Sequence, residues 1–246
     1  LGGRFGVSFN SVTNGTMTGN TARGYNGFGL ELAQCAHCTM TGNTAVTTAA
    51  GTTGALVSMG GTGNSVTANT LVGNHHGVHV FDTPHPTTVT ANPVTATRAG
   101  AVGIYCQGSP HTVIEANPLD GGGVGGVAIL LSDSSHATVG RNPCRSWASH
   151  WLQIVATAAD VDHIQAVAGD VTDCLPPNFQ EQNGHAIGPD VALALRDGYP
   201  GHFWGGAQVL RDAAHVHDNL AVLWSTEPPE GKLAAGVGSL CLVGHP

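Results

Sequence analysis

The side chains best suited to chemistry are concentrated in one short stretch of the chain. Between residues 75 and 86 the sequence contains four histidines and one aspartate, namely His75, His76, His79, His85 and Asp82. Histidine exchanges protons near neutral pH, so such a group can serve acid–base catalysis. A zinc site built from His75, His79 and Asp82 is an alternative, although side chains four residues apart on a strand need not converge. The remaining histidines, including His111, His136 and His163, show no shared spacing that indicates a site.

Cys35 and Cys38 have the spacing of a metal-binding CxxC pair. No second CxxC and no HxxxH follows at the distance found in zinc fingers. A turn with buried or disulfide-bonded thiols is therefore the better interpretation, with a metal site as the alternative. Six cysteines in a chain of 246 residues do not by themselves indicate a compartment.

These residues belong to a chain that repeats itself. The segment 6–20 recurs as 29–43, at an offset of 23 residues, and its closing asparagine recurs at intervals of 26, 23, 25 and 25 thereafter. An apolar residue lies three positions before each asparagine, and a glycine followed by a short alternating strand lies upstream. The asparagines are Asn20, Asn43, Asn69, Asn92, Asn117 and Asn142. Such a period predicts a solenoid.

The composition of the repeats selects one kind of solenoid. Leucine-rich repeats need a dense leucine framework that is missing here, and helical repeats need runs of about 12 helix-forming residues, which frequent glycine and threonine would break. Short strands separated by Gly and Asn instead predict a parallel β-helix, in which coils hydrogen-bond to one another and inward side chains stack. Asparagine at a fixed position suits a turn, because it tolerates a left-handed backbone.

The repeats resemble the right-handed parallel β-helix superfamily, the pectate-lyase-like fold, and within it the parallel β-helix repeat proteins. The resemblance covers residues 6–142, with a further coil at 151–154. It implies an all-β solenoid of about six to seven coils of 23–26 residues. We predict repeats over 1–156 and an irregular last coil with a C-terminal cap segment over 157–246, which includes an irregular coil at 160–173 and short helices near 189–198 and 206–219.

Alternation along the recurring strand predicts which side chains face outward. The inward pairs are taken as Val57 with Met59 in the third coil and Val78 with Val80 in the fourth. The outward row then contains Ser8, Glu31, Ser58, His79, Tyr105, Leu130 and Gln153. Because adjacent coils lie about 4.8 Å apart, His79 and Tyr105 are expected to be direct neighbours, with Glu31 two coils from His79.

A histidine beside a tyrosine can act as the base and acid that move a proton α to a carboxylate. That proton transfer is the difficult step in β-elimination and C5 epimerisation of uronates, and Arg23, Arg98 or Arg141 would neutralise the substrate carboxylate. The segment 82–85 is similar to the Asp-Pro-His motif of mannuronan C5-epimerases, with Thr83 inserted, and this resemblance implies catalytic roles for Asp82 and His85.

The leading hypothesis is a lyase or C5-epimerase that acts on a uronate-containing polysaccharide. The predicted catalytic residues are His79, Tyr105, Asp82 and His85, and the predicted substrate-binding residues are Glu31, Arg23, Arg98, Arg141 and Gln153. No cofactor is certain, with Ca²⁺ as the candidate. The rival hypothesis is a non-catalytic polysaccharide-binding or surface protein that uses the same groove.

A second regularity favours a minor alternative. Pairs of Thr or Ser one residue apart recur at Thr16 and Thr18, Thr39 and Thr41, Ser65 and Thr67, and Thr88 and Thr90. Flat arrays of this kind resemble the surface of β-solenoid ice-binding proteins. Threonine is also simply favourable on an exposed strand, so β-propensity alone is the competing explanation.

Composition excludes several partners. Only 10% of residues are charged, where roughly 25% is usual, and the net charge is −8, with most of the acidic excess after residue 142. Clustered Lys and Arg, which nucleic acids require, are missing, and no apolar run approaches the length of a membrane span. We expect a secreted or cell-surface protein, although no signal peptide is recognisable. Since the first coil begins near residue 3, we also expect an oligomer or a missing N-terminal cap.

Overall fold

A computed structural model describes residues 3–175, 177–188, 191–194, 222–225 and 240–243. Every regular element among these residues is a β-strand. The strands form three parallel sheets in which each strand pairs with its counterpart about one repeat away in the sequence. The structure therefore confirms the all-β parallel solenoid. Among the described residues, no helix has the length and apolar character needed to cross a membrane.

The strands are numbered in chain order, and one coil contributes one strand to each sheet. The first sheet contains β1 (Phe5–Asn10), β4 (Phe28–Ala33), β7 (Thr53–Ser58), β10 (His76–Phe81), β13 (Val102–Gln107), β16 (Val127–Ser132), β19 (Leu152–Ala156) and β22 (Asn178–Glu181). The second contains β2 (Thr16–Thr18), β5 (Thr39–Thr41), β8 (Asn64–Thr67), β11 (Thr87–Thr90), β14 (Val113–Glu115), β17 (Thr138–Val139), β20 (Gln165–Val167) and β23 (Ala192–Ala194). The third contains β3 (Thr21–Arg23), β6 (Thr44–Val46), β9 (Thr70–Val72), β12 (Val94–Thr95), β15 (Leu119–Asp120), β18 (Cys144–Arg145) and β21 (Val171–Thr172). A separate parallel pair is formed by β24 (Val222–Ser225) and β25 (Leu240–Val243).

The core is a narrow column of stacked apolar rows. Met17, Met40 and Val66 pair in register along the second sheet, and each is at most 1% exposed. The row continues through Val89 and Ile114, as the repeat predicted. Because strands pair without offset, every coil presents the same position to the core, and period-two alternation separates inward from outward residues.

The third coil was predicted two residues out of register, with inward and outward faces assigned correctly. Leu32 pairs with Val57, and Val57 pairs with Val80, so the inward residues of β7 are Ala55 and Val57, with Leu56 in the outward row. Ser58 is not in that row, and Met59 is 58% exposed with a left-handed φ of 62°. Ala55, Val57 and Met59 are apolar at alternate positions, so alternation identifies the inward face but allows a slip of two residues along the strand.

A row of glycines allows the coils to stack closely at the start of the first sheet. A Cβ atom on Gly54 would lie 2.7 Å from the carbonyl oxygen of Gly77, and one on Gly77 would lie 2.5 Å from that of Gly103. No side chain fits at such distances, so glycine is required here by the neighbouring backbone. This contact accounts for the glycine at this position in the first five coils, whereas Ala128 occupies it in the sixth.

The recurring asparagines form a continuous buried hydrogen-bond ladder. The Asn92 side-chain amide donates to the Val66 and Thr90 carbonyl oxygens, at 2.8 and 2.9 Å, and to Asn117 Oδ1 at 3.0 Å. Asn92 Oδ1 accepts from the backbone N–H and the side-chain amide of Asn69. Every coil from the first to the sixth contributes one such asparagine.

The asparagine itself does not have the left-handed backbone that its turn position suggested. The residue before it does, with φ values of 62°, 54° and 54° at Gly42, Ala68 and Ala91. The left-handed residue redirects the chain into the third sheet, and the asparagine that follows satisfies polar backbone groups left exposed by that bend. Its role is therefore hydrogen bonding to the neighbouring coils.

The solenoid continues regularly beyond residue 156. The segment 160–173, which was expected to be irregular, contributes β20 and β21 to the second and third sheets. The helix expected near 189–198 is contradicted in its described part, because β23 pairs with β20 as a parallel strand. The alternating Ala-Leu-Ala sequence has high helix propensity, but an open sheet edge offers it backbone hydrogen bonds. The helix expected at 206–219 lies outside the described residues, and the domain boundary at 156 stays a prediction.

The cysteines of the CxxC pair are buried in the core. Cys35 and Cys38 are 1% and 0% exposed, and both have free thiols. Each thiol contacts backbone carbonyl oxygens of its own or the preceding coil. The structure thus supports the interpretation as a turn with buried thiols.

We expect a central asparagine of the ladder to contribute more to the free energy of unfolding than the asparagine at its start. The substitution Asn92→Ala leaves several buried donors and acceptors without partners, each costing about 1–3 kcal/mol, so the free energy of unfolding should fall by at least about 3 kcal/mol. The matched control Asn20→Ala, at the half-exposed start of the ladder, should cost less than half as much. Urea denaturation followed by circular dichroism measures both, and equal losses would contradict a cooperative ladder.

Candidate functional site

The outward row of the first sheet runs through eight coils. It contains Ser8, Glu31, Leu56, His79, Tyr105, Leu130, Gln153 and Asn178. His79 and Tyr105 are direct neighbours, as predicted, and their rings stack with centroids 4.6 Å apart at 9°. Glu31 lies two coils before His79 and accepts a 2.6 Å hydrogen bond from Ser8. Gln153 lies two coils beyond Tyr105.

Three histidines and Tyr105 pack into one aromatic group on this face. The His76 ring lies 4.6 Å from His75, 5.0 Å from His79 and 5.2 Å from Tyr105, measured between centroids. The His79 Nε2 atom is buried without a hydrogen-bond partner. Imidazole rings packed in this way lose hydration, which favours their neutral form.

The packing changes the acid–base properties of these side chains. Burial, together with the neighbouring His79 and His75, lowers the pKa of His76 to about 3. Burial also lowers the pKa of His79 to about 4, against an opposing hydrogen bond with Gln107. For Tyr105, burial raises the pKa and a hydrogen bond with Ser132 partly offsets it. Both histidines are therefore neutral at pH 7, and Tyr105 keeps its proton.

The other predicted catalytic residues lie in the turn that follows β10. Asp82 has a left-handed φ of 51°, and both Asp82 and His85 are exposed. Within the described residues, no ring contact or ion pair joins either side chain to His79. Their catalytic roles stay predictions.

The three predicted arginines lie away from the first sheet. Arg23 is exposed on β3 of the third sheet, and Arg141 is exposed in the turn before β18. The Arg98 guanidinium donates to the Thr48 and Gly73 carbonyl oxygens at 2.6 and 3.2 Å, which ties it to the backbone of earlier coils. The structure therefore does not bring these cations together with His79 and Tyr105.

A different group of side chains converges at a corner between the first and second sheets. Among the His, Cys, Asp and Glu side chains in the described part of the chain, one group of three has its metal-ligand atoms within 4.8 Å of one another. This group is His136, Asp162 and His163. The alternative zinc site from His75, His79 and Asp82 is thus not assembled.

The corner histidines occupy the same position in successive coils. His111, His136 and His163 have left-handed φ values of 60°, 57° and 51°. Their rings stack at 4.7 Å and 10° between His111 and His136, and at 4.6 Å and 24° between His136 and His163. The intervals of 25 and 27 residues equal one coil, so the repeat itself was the signal that sequence reasoning missed.

Asp162 supplies the carboxylate of this group. Its Oδ1 atom lies 3.2 Å from His163 Nδ1 and 4.0 Å from His136 Nε2. Partial burial opposes ionisation, but hydrogen bonds with His163 and Ser135 and the charges of both histidines hold the pKa of Asp162 below its usual range. The three side chains are 44–52% exposed, so the group opens directly to solvent.

This donor set fits some metals better than others. Imidazole nitrogen with carboxylate oxygen suits Cu²⁺, Ni²⁺ and Zn²⁺, and mixed N,O ligands are typical of tetragonal Cu²⁺. Ca²⁺ prefers oxygen ligands throughout, so two imidazoles make this group a poor calcium site. A metal ion would also lie in an incomplete protein shell, with positions left for water.

The fold and these sites define a parallel β-helix protein with an aromatic face and a histidine–carboxylate corner. The family model described as periplasmic copper-binding protein (NosD) matches residues 2–144. The chain therefore belongs to the NosD family. No curated protein and no solved structure matches it. The family match agrees with the expected parallel β-helix, whereas the likeness to lyases and epimerases stays a prediction.

The buried histidines should make stability depend on pH in a defined window. Because the unfolded chain binds protons near pH 6.5 while folded His79 and His76 bind them only near pH 4 and 3, stability should fall as pH decreases from about 6.5 to 4. The double substitution His76→Gln and His79→Gln should reduce the dependence of the free energy of unfolding on pH. The reduction should correspond to at most about two fewer protons taken up on unfolding. Urea denaturation across a pH series tests it, and an unchanged slope would show that folding does not lower the pKa values of these two histidines.

Proposed function

We propose that this protein is a periplasmic β-helix protein that binds a copper ion through His136, Asp162 and His163. The family description supports both the compartment and the metal. The observation that carries the proposal is the convergence of two imidazoles and one carboxylate within 4.8 Å at one corner of the solenoid. Asp162 and His163 lie beyond the matched stretch, so the assignment of copper to this corner rests on the geometry alone.

The solenoid backbone positions the three ligands before any metal arrives. The His136 backbone N–H donates to the Asp162 carbonyl oxygen at 3.0 Å, and the Asp162 backbone N–H donates to Ser135 Oγ at 3.1 Å. These bonds fix the two turns relative to each other, so binding needs only side-chain rotations. A bound copper ion would supply a positive charge and open coordination positions at the protein surface.

Histidines in equivalent turns provide a matched test. We expect the parent protein to bind one Cu²⁺ by isothermal titration calorimetry, and His136→Asn or His163→Asn to weaken binding by at least about tenfold. Asparagine tolerates the left-handed backbone of these turns, so the fold should persist. The control His37→Asn changes an exposed histidine with φ of 55° in an early coil and should leave affinity unchanged.

Two results would contradict this assignment. Equal loss of affinity in the His37→Asn variant would indicate nonspecific binding to surface histidines. Unchanged affinity in the His136→Asn and His163→Asn variants would place the copper elsewhere. Because protons compete with metal for imidazole nitrogen, lowering the pH should weaken binding in the parent protein more than in the variants.

The second candidate is the polysaccharide function predicted from the outward row, with lyase or C5-epimerase chemistry on a uronate. The stacking of His79 on Tyr105 favours it, because a neutral imidazole can accept a proton while the tyrosine donates one. Five coil steps separate Glu31 from Gln153, so this row offers about 24 Å for an extended chain. The arginines lie on other faces, so substrate carboxylates would have to be neutralised differently.

A panel of polyuronides tests this candidate. Lyase activity should appear as ultraviolet absorbance of the unsaturated product from alginate or pectate, and epimerase activity as proton exchange at C5. The His79→Ala and Tyr105→Phe variants should each lose the activity. Activity that persists in both variants would exclude this pair. Retention on polysaccharide without product would instead favour the non-catalytic binding hypothesis, for which Glu31 and Gln153 are the first residues to substitute.

A further inference from the structure

We infer that the corner site holds copper as Cu²⁺ and releases it when the ion is reduced to Cu⁺. This inference rests on the proposed copper site and specifies how its occupancy is controlled. It follows from three properties of the described residues: the type of ligand atom at the corner, the geometry of the two imidazoles, and the exposure of the group.

The corner offers nitrogen and oxygen but no sulfur. Cu⁺ is a soft ion that favours thiolate and thioether ligands, whereas Cu²⁺ is well served by imidazole and carboxylate. The three methionines of the sequence are Met17, Met40 and Met59, and all of them lie in the first three coils. The ligand group lies in the sixth and seventh coils. No thioether of this chain is therefore available to it.

The five cysteines whose side chains the structure describes are also unsuited to capture the reduced ion. Cys35, Cys38, Cys106 and Cys144 are buried in the core, and Cys174 is half-buried after β21 of the third sheet. Burial raises the pKa of Cys106 to about 12, against a hydrogen bond with Thr112, and also raises the pKa of Cys144. The thiols of Cys106 and Cys144 therefore stay protonated, and a protonated thiol is a poor copper ligand.

The arrangement of the imidazoles favours the oxidised ion. The rings of His136 and His163 stack side by side, 4.6 Å apart and 24° from parallel. Stacked rings present their nitrogens as neighbours, which matches adjacent positions around a tetragonal Cu²⁺ ion. Two-coordinate Cu⁺ needs its ligands on opposite sides, and stacking along adjacent coils prevents that. The Asp162 carboxylate further favours the higher charge.

Exposure allows reduction and release to occur at the protein surface. The three side chains are 44–52% exposed, so a small one-electron reductant such as ascorbate can approach the ion directly. One electron passes from ascorbate to Cu²⁺, and the resulting Cu⁺ leaves to a soft external ligand. The two imidazoles and the carboxylate return to their metal-free state, and no covalent bond of the protein changes.

The test begins with protein loaded with Cu²⁺ and freed from unbound ion, under argon. We expect the ion to stay bound when bicinchoninate, a chelator specific for Cu⁺, is added alone, and to transfer to it when ascorbate follows. The affinity for Cu⁺ should be at least about tenfold lower than for Cu²⁺. Ag⁺, which resembles Cu⁺ in charge and softness, should likewise bind weakly in a direct titration without ascorbate.

A substitution that makes the site retain Cu⁺ provides a second test. The substitution Asp162→Cys places a thiolate among the same two imidazoles, so this variant should retain Cu⁺ and bind Ag⁺ more tightly than the parent. The control Asp162→Ser removes the carboxylate without adding sulfur and should not retain either ion. Release from Asp162→Cys as complete as from the parent would show that ligand softness does not control retention.

The two proposals fail in different ways. Failure of the parent to load Cu²⁺ overturns the proposed copper site and, with it, this inference. Normal loading followed by retention of Cu⁺ in the presence of ascorbate and bicinchoninate overturns the inference alone. Normal loading followed by release, with retention restored in Asp162→Cys, supports both.

Discussion

Backbone hydrogen bonds between successive coils hold each residue directly over its counterpart in the next coil, and the rest of the structure depends on this register. At a spacing of about 4.8 Å there is no room for a side chain between Gly54 and the Gly77 carbonyl group, so this row is glycine in the first five coils. The same spacing lets the side chain of Asn92 reach the coils on both sides, so another row is asparagine. Composition follows from this geometry, since a solenoid built on uncharged rows has little use for Lys or Glu.

The register also explains why rings stack on two faces of the molecule. His79 with Tyr105, and His136 with His163, lie at the same 4.6 Å because both pairs occupy equivalent positions in adjacent coils. Stacking by itself is therefore a consequence of the fold and does not identify a site. The chemical difference lies in what surrounds the rings. The His79 pair is packed among aromatic neighbours that keep it neutral, whereas the corner pair is open to solvent and has a carboxylate within reach.

Much of this architecture was predictable from the sequence, and the predictions that were wrong failed for physical reasons. The asparagine period located the inward row through Met17 and Met40, because one residue type at one phase leaves little freedom in a stacked fold. The third coil slipped by two residues because Ala55, Val57 and Met59 are apolar at alternate positions, so alternation distinguished the faces but not the register along the strand. The strand β23 was mistaken for a helix because propensity describes an isolated segment, while an available sheet edge decides between the two states.

The sequence by itself determined the all-β solenoid, the length of its coils, and the adjacency of His79 and Tyr105, because local periodicity and strand pairing act over a single repeat. Only the tertiary structure decided that His136, Asp162 and His163 converge. Counting back six residues from Asn117 and Asn142 aligns His111 with His136, so the repeat can identify equivalent turns, but it does not give the distance of their side chains from Asp162. Whether two turns present their side chains to the same point depends on left-handed residues and on hydrogen bonds between coils, which exist only once the coils are stacked.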